Sequence, residues 1–235
     1  MKEASKTNRV RDEAFRARYF AGTVLDIGSG PDPVVPHAQP FDREHGDANE
    51  IARYLAGAEF DCVHSSHCLE HMNDPRQAVA QWWSLVRPGG HLIVIVPDEA
   101  LYEQGFWPSQ FNVEHKATFR IDGPPRSPVS HDLRSLLLSL PGAELVDIQR
   151  QDDGYDHRLR WSGPPALGRA LLWVDKYRRR RLRHHQDDGL TRAWTDVASW
   201  LHTPVDQTRN DALAQIQAIV RKARGSANDK AAATR

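Results

Sequence analysis

The chain has 235 residues, and 31 Lys and Arg balance 31 Asp and Glu, so its formal net charge is zero. That length fits one sizeable domain with a real core, and the balance argues for neither a nucleic-acid nor a membrane partner. No apolar run approaches a membrane span, the charged start MKEASKTNRV holds no apolar signal segment, and Cys62 and Cys68 stand too close for a disulfide framework. A reducing, cytoplasmic setting with inert, mostly buried thiols is the expectation.

Residues 10–21 predict a helix with Val10, Phe15 and Phe20 as apolar points, stopped by Gly22. TVLDIG follows, a short apolar run ending in Asp26 and glycines, which predicts a parallel strand. The stretch PDPVVPHAQP, 31–40, holds four prolines. They exclude an ordinary helix, because each would remove a donor and clash with the preceding turn. FD at 41–42 closes a short second strand, DANEIARYLAG from Asp47 predicts a small helix, and FDCVHSS another strand.

Asp74-Pro75 opens a well-marked helix. Asp74 suits the N-cap, Pro75 the first helical position and Gln77 the third, a capping-box-like closure. Ala78, Val79, Trp82, Leu85 and Val86 form its buried stripe. Pro88-Gly89-Gly90 ends it, and HLIVIVP follows as an apolar strand covered on both faces. Beyond a loop-rich region, 99–128, HDLRSLLLSL predicts an amphipathic helix and AELVDIQRQD a strand. Residues 160–205 read as an insertion, partly helical and basic, which includes PALGRALLWVDKYRRRRLRHH. LAQIQAIVRK, 213–222, reads as a last strand with helix as the open alternative, and 223–235 as a flexible tail. Strands alternating with helices give a single α/β domain over 1–222 with a mainly parallel sheet.

Two incompatible readings meet in VHSSHCLEHM, 63–72. His67, Glu70 and His71 spell H-x-x-E-H, an inverted zinc-protease pattern. That pattern needs both histidines on one helix face, four residues apart. Here a strand ends near Ser66 and a new helix opens at Asp74, which leaves room for one turn at most. Glu103 and Glu114 are available as third ligands, but nothing marks them, and no metal is predicted. The alternatives are that His67 and His71 are loop residues bonded to backbone, or that they line a pocket.

VLDIGSGPDP, 24–33, places glycines just past the carboxyl end of a strand, where ligands bind in open α/β sheets. Gly28 and Gly30 leave room for a ligand to approach the backbone. A dinucleotide fold would want a third glycine where Pro33 stands, and a helix aimed at the phosphates. A ligand without phosphates needs no such helix.

VLDIGSG, the acidic FD, GDA at 46–48, DCVHSSHCLEH and LVRPGGHLIVIVPDE, in this order, resemble class I S-adenosylmethionine-dependent methyltransferases over roughly residues 20–150. The resemblance is to type 11-like bacterial members. YEQGFWPSQFNVEHKATF and the late VDQT…AQIQAIVRK are similar to a branch linked to sugar or cell-surface glycan modification. It implies a Rossmann-like, mainly parallel sheet with flanking helices and S-adenosyl-L-methionine as cofactor. Only 35 residues separate Asp26 from Asp61, so the first half, a helix and a strand, is trimmed relative to the family.

Carried over by resemblance, Asp26, Gly28, Ser29 and Gly30 line the methionine end of the cofactor. Asp42 accepts the ribose hydroxyls, Asp47 and Ala48 flank the adenine, and Ser65, Ser66 and His67 pass under the cofactor. The rival reading of Asp42 and Asp47 is that they cap turns. The implied activity is methyl transfer to a small-molecule or glycan acceptor, at oxygen or nitrogen. The alternative is a non-catalytic cofactor-binding scaffold.

Candidates for a base are His115, His71 and the Asp98/Glu99 pair. Their rivals are a loop histidine without a chemical role and, after Pro97, a cap. Tyr102, Phe106, Trp107 and Phe111 either close over a ligand or form a satellite cluster under a loop. The run KYRRRRLRHH, 176–185, is a solvated helix end, a seat for a phosphate-bearing substrate, or a peripheral contact with an anionic membrane. One basic run on a neutral chain is a thin footprint for nucleic acid.

Overall fold

The computed structural model describes residues 3–183 and 203–224. Its main strands are β1 (Val24–Ile27), β2 (Gln39–Phe41), β3 (Phe60–Ser66) and β4 (Val86–Pro97). After them come β5 (Thr118–Arg120), β6 (Ser130–Asp132), β7 (Ala143–Gln151) and β8 (Gln215–Lys222). The helices are α1 (Glu3–Asn8), α2 (Glu13–Tyr19), α3 (Ile51–Tyr54), α4 (Pro75–Ser84), α5 (Leu133–Leu138) and α6 (Pro165–Arg183). Six strands form one sheet in the order β2-β1-β3-β4-β8-β7, and β5 and β6 pair in a small second sheet. The sheet is parallel from β2 to β4, and β8 runs antiparallel to both its neighbours.

This is the α/β, Rossmann-like architecture expected from the sequence, trimmed where the prolines demand it. No regular element spans residues 29–38, and the sheet ends at the three-residue β2. The expected helix over 10–21 is shorter, beginning at Glu13 because Asp12 accepts from Phe15 N–H as its N-cap. A separate α1 precedes it. The small helix after Asp47 is a 3-10 turn running into the four-residue α3.

Asp74 caps α4 as expected, its Oδ1 accepting from Arg76 and Gln77 N–H. The return bond from Gln77 is absent, so only half of the capping box forms. Pro88-Gly89-Gly90 sits inside β4 instead of before it, since the strand already pairs with Phe60 at Val86. Gly90 has a steric reason: a Cβ there would lie 2.9 Å from Asp61 O and 3.1 Å from Phe60 O.

β8 settles as a strand because alternate residues bury on opposite faces. Ile216, Ala218 and Val220 join the core on the α4 side, and Ile219 joins the core on the α2 side. That two-residue period is what a sheet interior requires. Leu25, Ile27, Val63, Leu92 and Val94 pack with Trp82 and Val79 of α4. Val24, Cys62, Ile93 and Ile95 pack under Tyr19 and Phe20. α6 buries Leu171 but leaves Leu167 and Trp173 exposed. The basic run continues α6 as far as Arg183; residues 184–185 and the chain from 225 onward lie outside the described residues. Among the described residues, no helix is long and apolar enough to cross a membrane.

Two measurements test this frame. Gly90→Ala should destabilise the fold by about 1–3 kcal/mol in denaturant unfolding, because its neighbours are backbone atoms that cannot yield. Asp61 accepts from Thr23 N–H and Oγ1 at 2.8 Å each and pairs with Arg87. Partial burial opposes its charge, yet these donors hold its carboxyl below the usual value. A depressed folded pKa gives stability that is present above the unfolded value and lost as pH falls through the folded one. The stability gap between wild type and Asp61→Asn should therefore be widest near neutrality and narrow below about pH 4.

Candidate functional site

The parallel register sets Asp26 beside His64 and Ile27 beside Ser65, so the carboxyl ends of β1 and β3 open together. Asp26 is buried. Its Oδ1 lies 2.7 Å from His64 Nδ1, and its Oδ2 accepts from Val34 N–H at 2.7 Å. A carboxylate only accepts, so His64 Nδ1 carries the proton and Nε2 faces the Arg11 guanidinium at 3.4–3.5 Å. Burial lowers the His64 pKa and also brings Arg11 down to about 10, which keeps Arg11 cationic at neutral pH. Asp26 thus shapes the loop from Gly28 to Val34 with both oxygens already engaged.

Gly28 and Gly30 both take positive φ, 75° and 53°. They differ in surroundings. A Cβ on Gly28 would meet Cys68 Cβ at 2.8 Å, so that bare position is filled by the chain itself. A Cβ on Gly30 would have only Asp42 Oδ2 within 4 Å, at 3.9 Å. Space for a ligand therefore lies at Gly30 and the half-buried Ser29, facing Asp42. The Asp42 carboxylate is held by Gly30 N–H at 2.7 Å and Arg43 N–H at 2.8 Å, one donor on each oxygen. Each oxygen keeps a further lone pair for a diol.

Asp47 caps the turn that follows, accepting from Asn49 N–H and Asn49 Nδ2; these bonds hold its carboxyl below the ordinary value. The carbonyl of Ala48 accepts from Trp82 Nε1. Where β3 ends, the Ser65 and Ser66 hydroxyls are buried without a hydrogen-bond partner. Orphaned hydroxyls, a bare Gly30 and a carboxylate with spare acceptor capacity fit the amino-acid and ribose parts of a sulfonium nucleoside. Burial pushes the Cys68 thiol up to about 12 and raises Cys62 as well, leaving both inert.

Beyond Ser66 the chain turns at His67, whose φ is 53°, and a single 3-10 turn spans Leu69–His71. The helix an H-x-x-E-H zinc site would need does not form. His67 Nε2 lies 2.9 Å from Gln215 Oε1, an amide oriented by its donation to Thr7 Oγ1 and Gln151 Oε1. The Glu70 carbonyl accepts from Lys116 and Ala117 N–H, which brings His115 alongside. His71 and His115 have ring centroids 5.0 Å apart, and Tyr102 flanks His115 at 5.2 Å. His115 Nδ1 lies 2.6 Å from Glu103 Oε1. Glu70 is 1 % exposed, and neither of its oxygens has a hydrogen-bond partner.

The structure gathers His71, His115 and His67, but places Asp98 and Glu99 elsewhere. Asp98 Oδ1 caps Ala100 and Leu101, and its Oδ2 lies 2.7 Å from Arg150 Nε. Glu99 accepts from the Thr118 hydroxyl and Arg126 N–H. Both line a separate cavity of about 270 Å³ with Arg120, Arg126, Arg150 and Arg160. Glu70 and Glu103 enter the sequence reading only through the zinc pattern; their place beside His115 comes from the fold. Tyr102 and Phe111 meet edge-on and Phe106 is buried against Phe111, a satellite cluster rather than an open aromatic clamp.

A family model described as a methyltransferase domain matches residues 6–136, more than half of the chain. A SAM-dependent methyltransferase from Archaeoglobus fulgidus has a similar fold, with 15% identity and a TM-score of 0.50 over 94% of this chain and 95% of that one. A SAM-dependent methyltransferase from Geobacter sulfurreducens, solved with S-adenosyl-L-homocysteine, aligns at 16% identity and a TM-score of 0.44 over 94% and 92%. No curated protein matches the chain by sequence.

Proposed function

Because the chain belongs to the methyltransferase-domain family, as a class I enzyme that takes S-adenosyl-L-methionine, we propose that it methylates a small-molecule or glycan acceptor at a hydroxyl or amine. The observation that carries this reading is the juxtaposition of two walls at the carboxyl ends of β1 and β3. One is the cofactor cradle of Ser29, Gly30, Asp42, Ser65 and Ser66. The other is the polar cluster of Glu70, His71 and His115.

The cofactor supplies a methyl group already activated on a sulfonium, so the protein's task is to bind, orient and exclude water. Asp42 takes the ribose hydroxyls, since both its oxygens are fixed at the rim and each has a free lone pair. Asp26 acts on the cofactor through the loop it ties and, being buried, does not present its oxygens to the ligand. Asp47 and Ala48 border the adenine end, and His67 closes the floor beside Ser66. Across the opening, His71 and His115 take the acceptor's proton, and Glu103 positions the His115 ring. A hydroxyl or amine acceptor fits this wall because both carry a proton that a histidine can receive.

The reading is tested by titration calorimetry. Wild type should bind S-adenosylmethionine and S-adenosylhomocysteine, and Asp42→Ala should weaken both by about 10–100-fold, the worth of hydrogen bonds to a charged group. Asp42→Asn, which can still accept from Gly30 N–H, should fall between the two. Absence of binding by either nucleoside to the wild type would end the proposal.

A further inference from the structure

Glu70 is a buried carboxylate that, among the described residues, only histidine rings face within ion-pair range. Glu70 and Glu103 are two buried carboxylates, 1 % and 3 % exposed, about 33 residues apart in sequence and brought together by the fold. Among the described residues, every ion-pair neighbour of Glu70 is a histidine: His67 Nδ1 at 3.5 Å, His71 Nε2 at 4.0 Å and His115 Nε2 at 4.0 Å. Each of those rings has its other nitrogen committed to an acceptor. His67 Nε2 faces Gln215 Oε1, His71 Nδ1 faces the Glu114 carbonyl at 3.1 Å, and His115 Nδ1 faces Glu103 Oε1. In neutral imidazole one nitrogen donates and the other presents a lone pair. The lone pairs of His71 and His115 are therefore turned toward a carboxylate that itself receives no hydrogen bond.

Unshared electron pairs that converge on an anion inside a protein call for a cation between them. We propose that Glu70, His71 and His115 bind a divalent transition-metal ion through one carboxylate oxygen and two Nε2 atoms. Their ligand atoms already lie within 4.8 Å of one another. Around an ion with bonds of about 2.0–2.2 Å they would draw in by roughly half an ångström each. The supporting shell is in place: a carboxylate holds His115 and a backbone carbonyl holds His71, the usual way a metal-binding histidine is oriented. Two imidazoles and one carboxylate suit zinc, manganese, cobalt or iron and leave coordination positions open. This is not the inverted zinc-protease arrangement, because His67 leaves the helix-like path and His115, from a distant loop, takes its place.

This inference rests on the methyltransferase reading for its use. The open positions face the acceptor side of the opening, so the substrate class is an acceptor with an oxygen that can ligate. An ion there lowers the pKa of a bound hydroxyl as it does that of water. With the ion bound, it replaces His71 and His115 as the group that frees the acceptor oxygen: the oxygen–hydrogen bond breaks with its electron pair staying on that oxygen, and the proton leaves to solvent rather than to either ring.

The test uses the full chain stripped with a chelator, desalted and titrated with Co²⁺. Wild type should take up one ion per chain, show visible cobalt absorption and release it to Zn²⁺. His71→Ala, at the half-exposed ligand, should keep the wild-type circular dichroism and lose at least about 100-fold in cobalt affinity. Glu103→Gln should lose about 10–100-fold, the effect of an outer-shell partner. No stoichiometric uptake by wild type, or equal uptake by His71→Ala, overturns the site; a proton on one histidine is then the counter-charge. Binding of S-adenosylhomocysteine is measured on the same metal-free sample. If the nucleoside binds and cobalt does not, the ion site alone is wrong. If cobalt binds and the nucleoside does not, the site stands and the methyl-transfer reading falls.

Discussion

The buried chain Arg11–His64–Asp26 is the constraint on which the cofactor side depends. It runs across the sheet from the N-terminal segment to the end of β1, and it has a direction. The Asp26 carboxylate fixes the His64 tautomer, His64 offers Nε2 to Arg11, and Arg11 also donates to Gln217 on β8 at 2.7 Å. The single negative and single positive charge compensate each other through a neutral ring, which is what permits three polar groups in so dry a place. The second oxygen of Asp26 then holds Val34 N–H, and with it the loop that carries Ser29 and Gly30. Removing any member would leave a buried partner unpaired, so the shape of the cofactor rim is coupled to the packing of α1 and α2 over the sheet.

The wall proposed for the acceptor is built differently. Nothing near it in sequence links Glu70 to His115; the contact exists because one carbonyl, that of Glu70, accepts two consecutive backbone donors from 116–117. Glu103 reaches the same spot from the turn after β4. Three segments therefore meet at a point where the sheet ends, and among the described residues the ion-pair partners of Glu70 and Glu103 are histidines alone. A fold rarely buries such a set without use for it, because the desolvation of an unpaired carboxylate is costly.

Much of the fold was legible in the sequence, for identifiable reasons. β1, β3 and the apolar part of β4 are runs that only a strand covered on both faces would bury, and Asp74-Pro75 marks α4 through chemistry that has few other uses. The early start of β4 was not legible, because Pro88-Gly89-Gly90 is a helix terminator by composition and a strand only through the close approach of Asp61 and Phe60. β8 was ambiguous because its glutamines look solvent-facing. They are buried, as Gln215 and Gln217 find Thr7, Gln151 and Arg11. The glycines of the rim proposed for the cofactor lie in one contiguous motif, VLDIGSG. The cluster proposed for the acceptor does not, since its geometry comes from a loop-to-turn contact that no local spacing encodes.

The trimmed first half explains why the N-terminal helices matter. With Pro31, Pro33 and Pro36 forbidding a helix between β1 and β2, the face of the sheet there would lie bare and the loop would have no internal ladder to hold it. Side chains supply both. Asn8 donates to the Val34 carbonyl at 2.8 Å, Ser5 donates its N–H to Asp32, and His37 meets the Phe20 carbonyl. Ala4 and Phe20 bury with Val34 and Ala38 over Val24 and Ile95. α1 and α2 thus take over the covering role of the missing helix while pinning the glycine loop from outside. The same α1 places Glu3 3.8 Å from His67 and Thr7 against Gln215, so one short segment reaches both the glycine loop and the turn after β3. The glycine loop and the turn after β3 are thus joined through the N-terminus as well as through the sheet, a link made necessary by where the prolines stand.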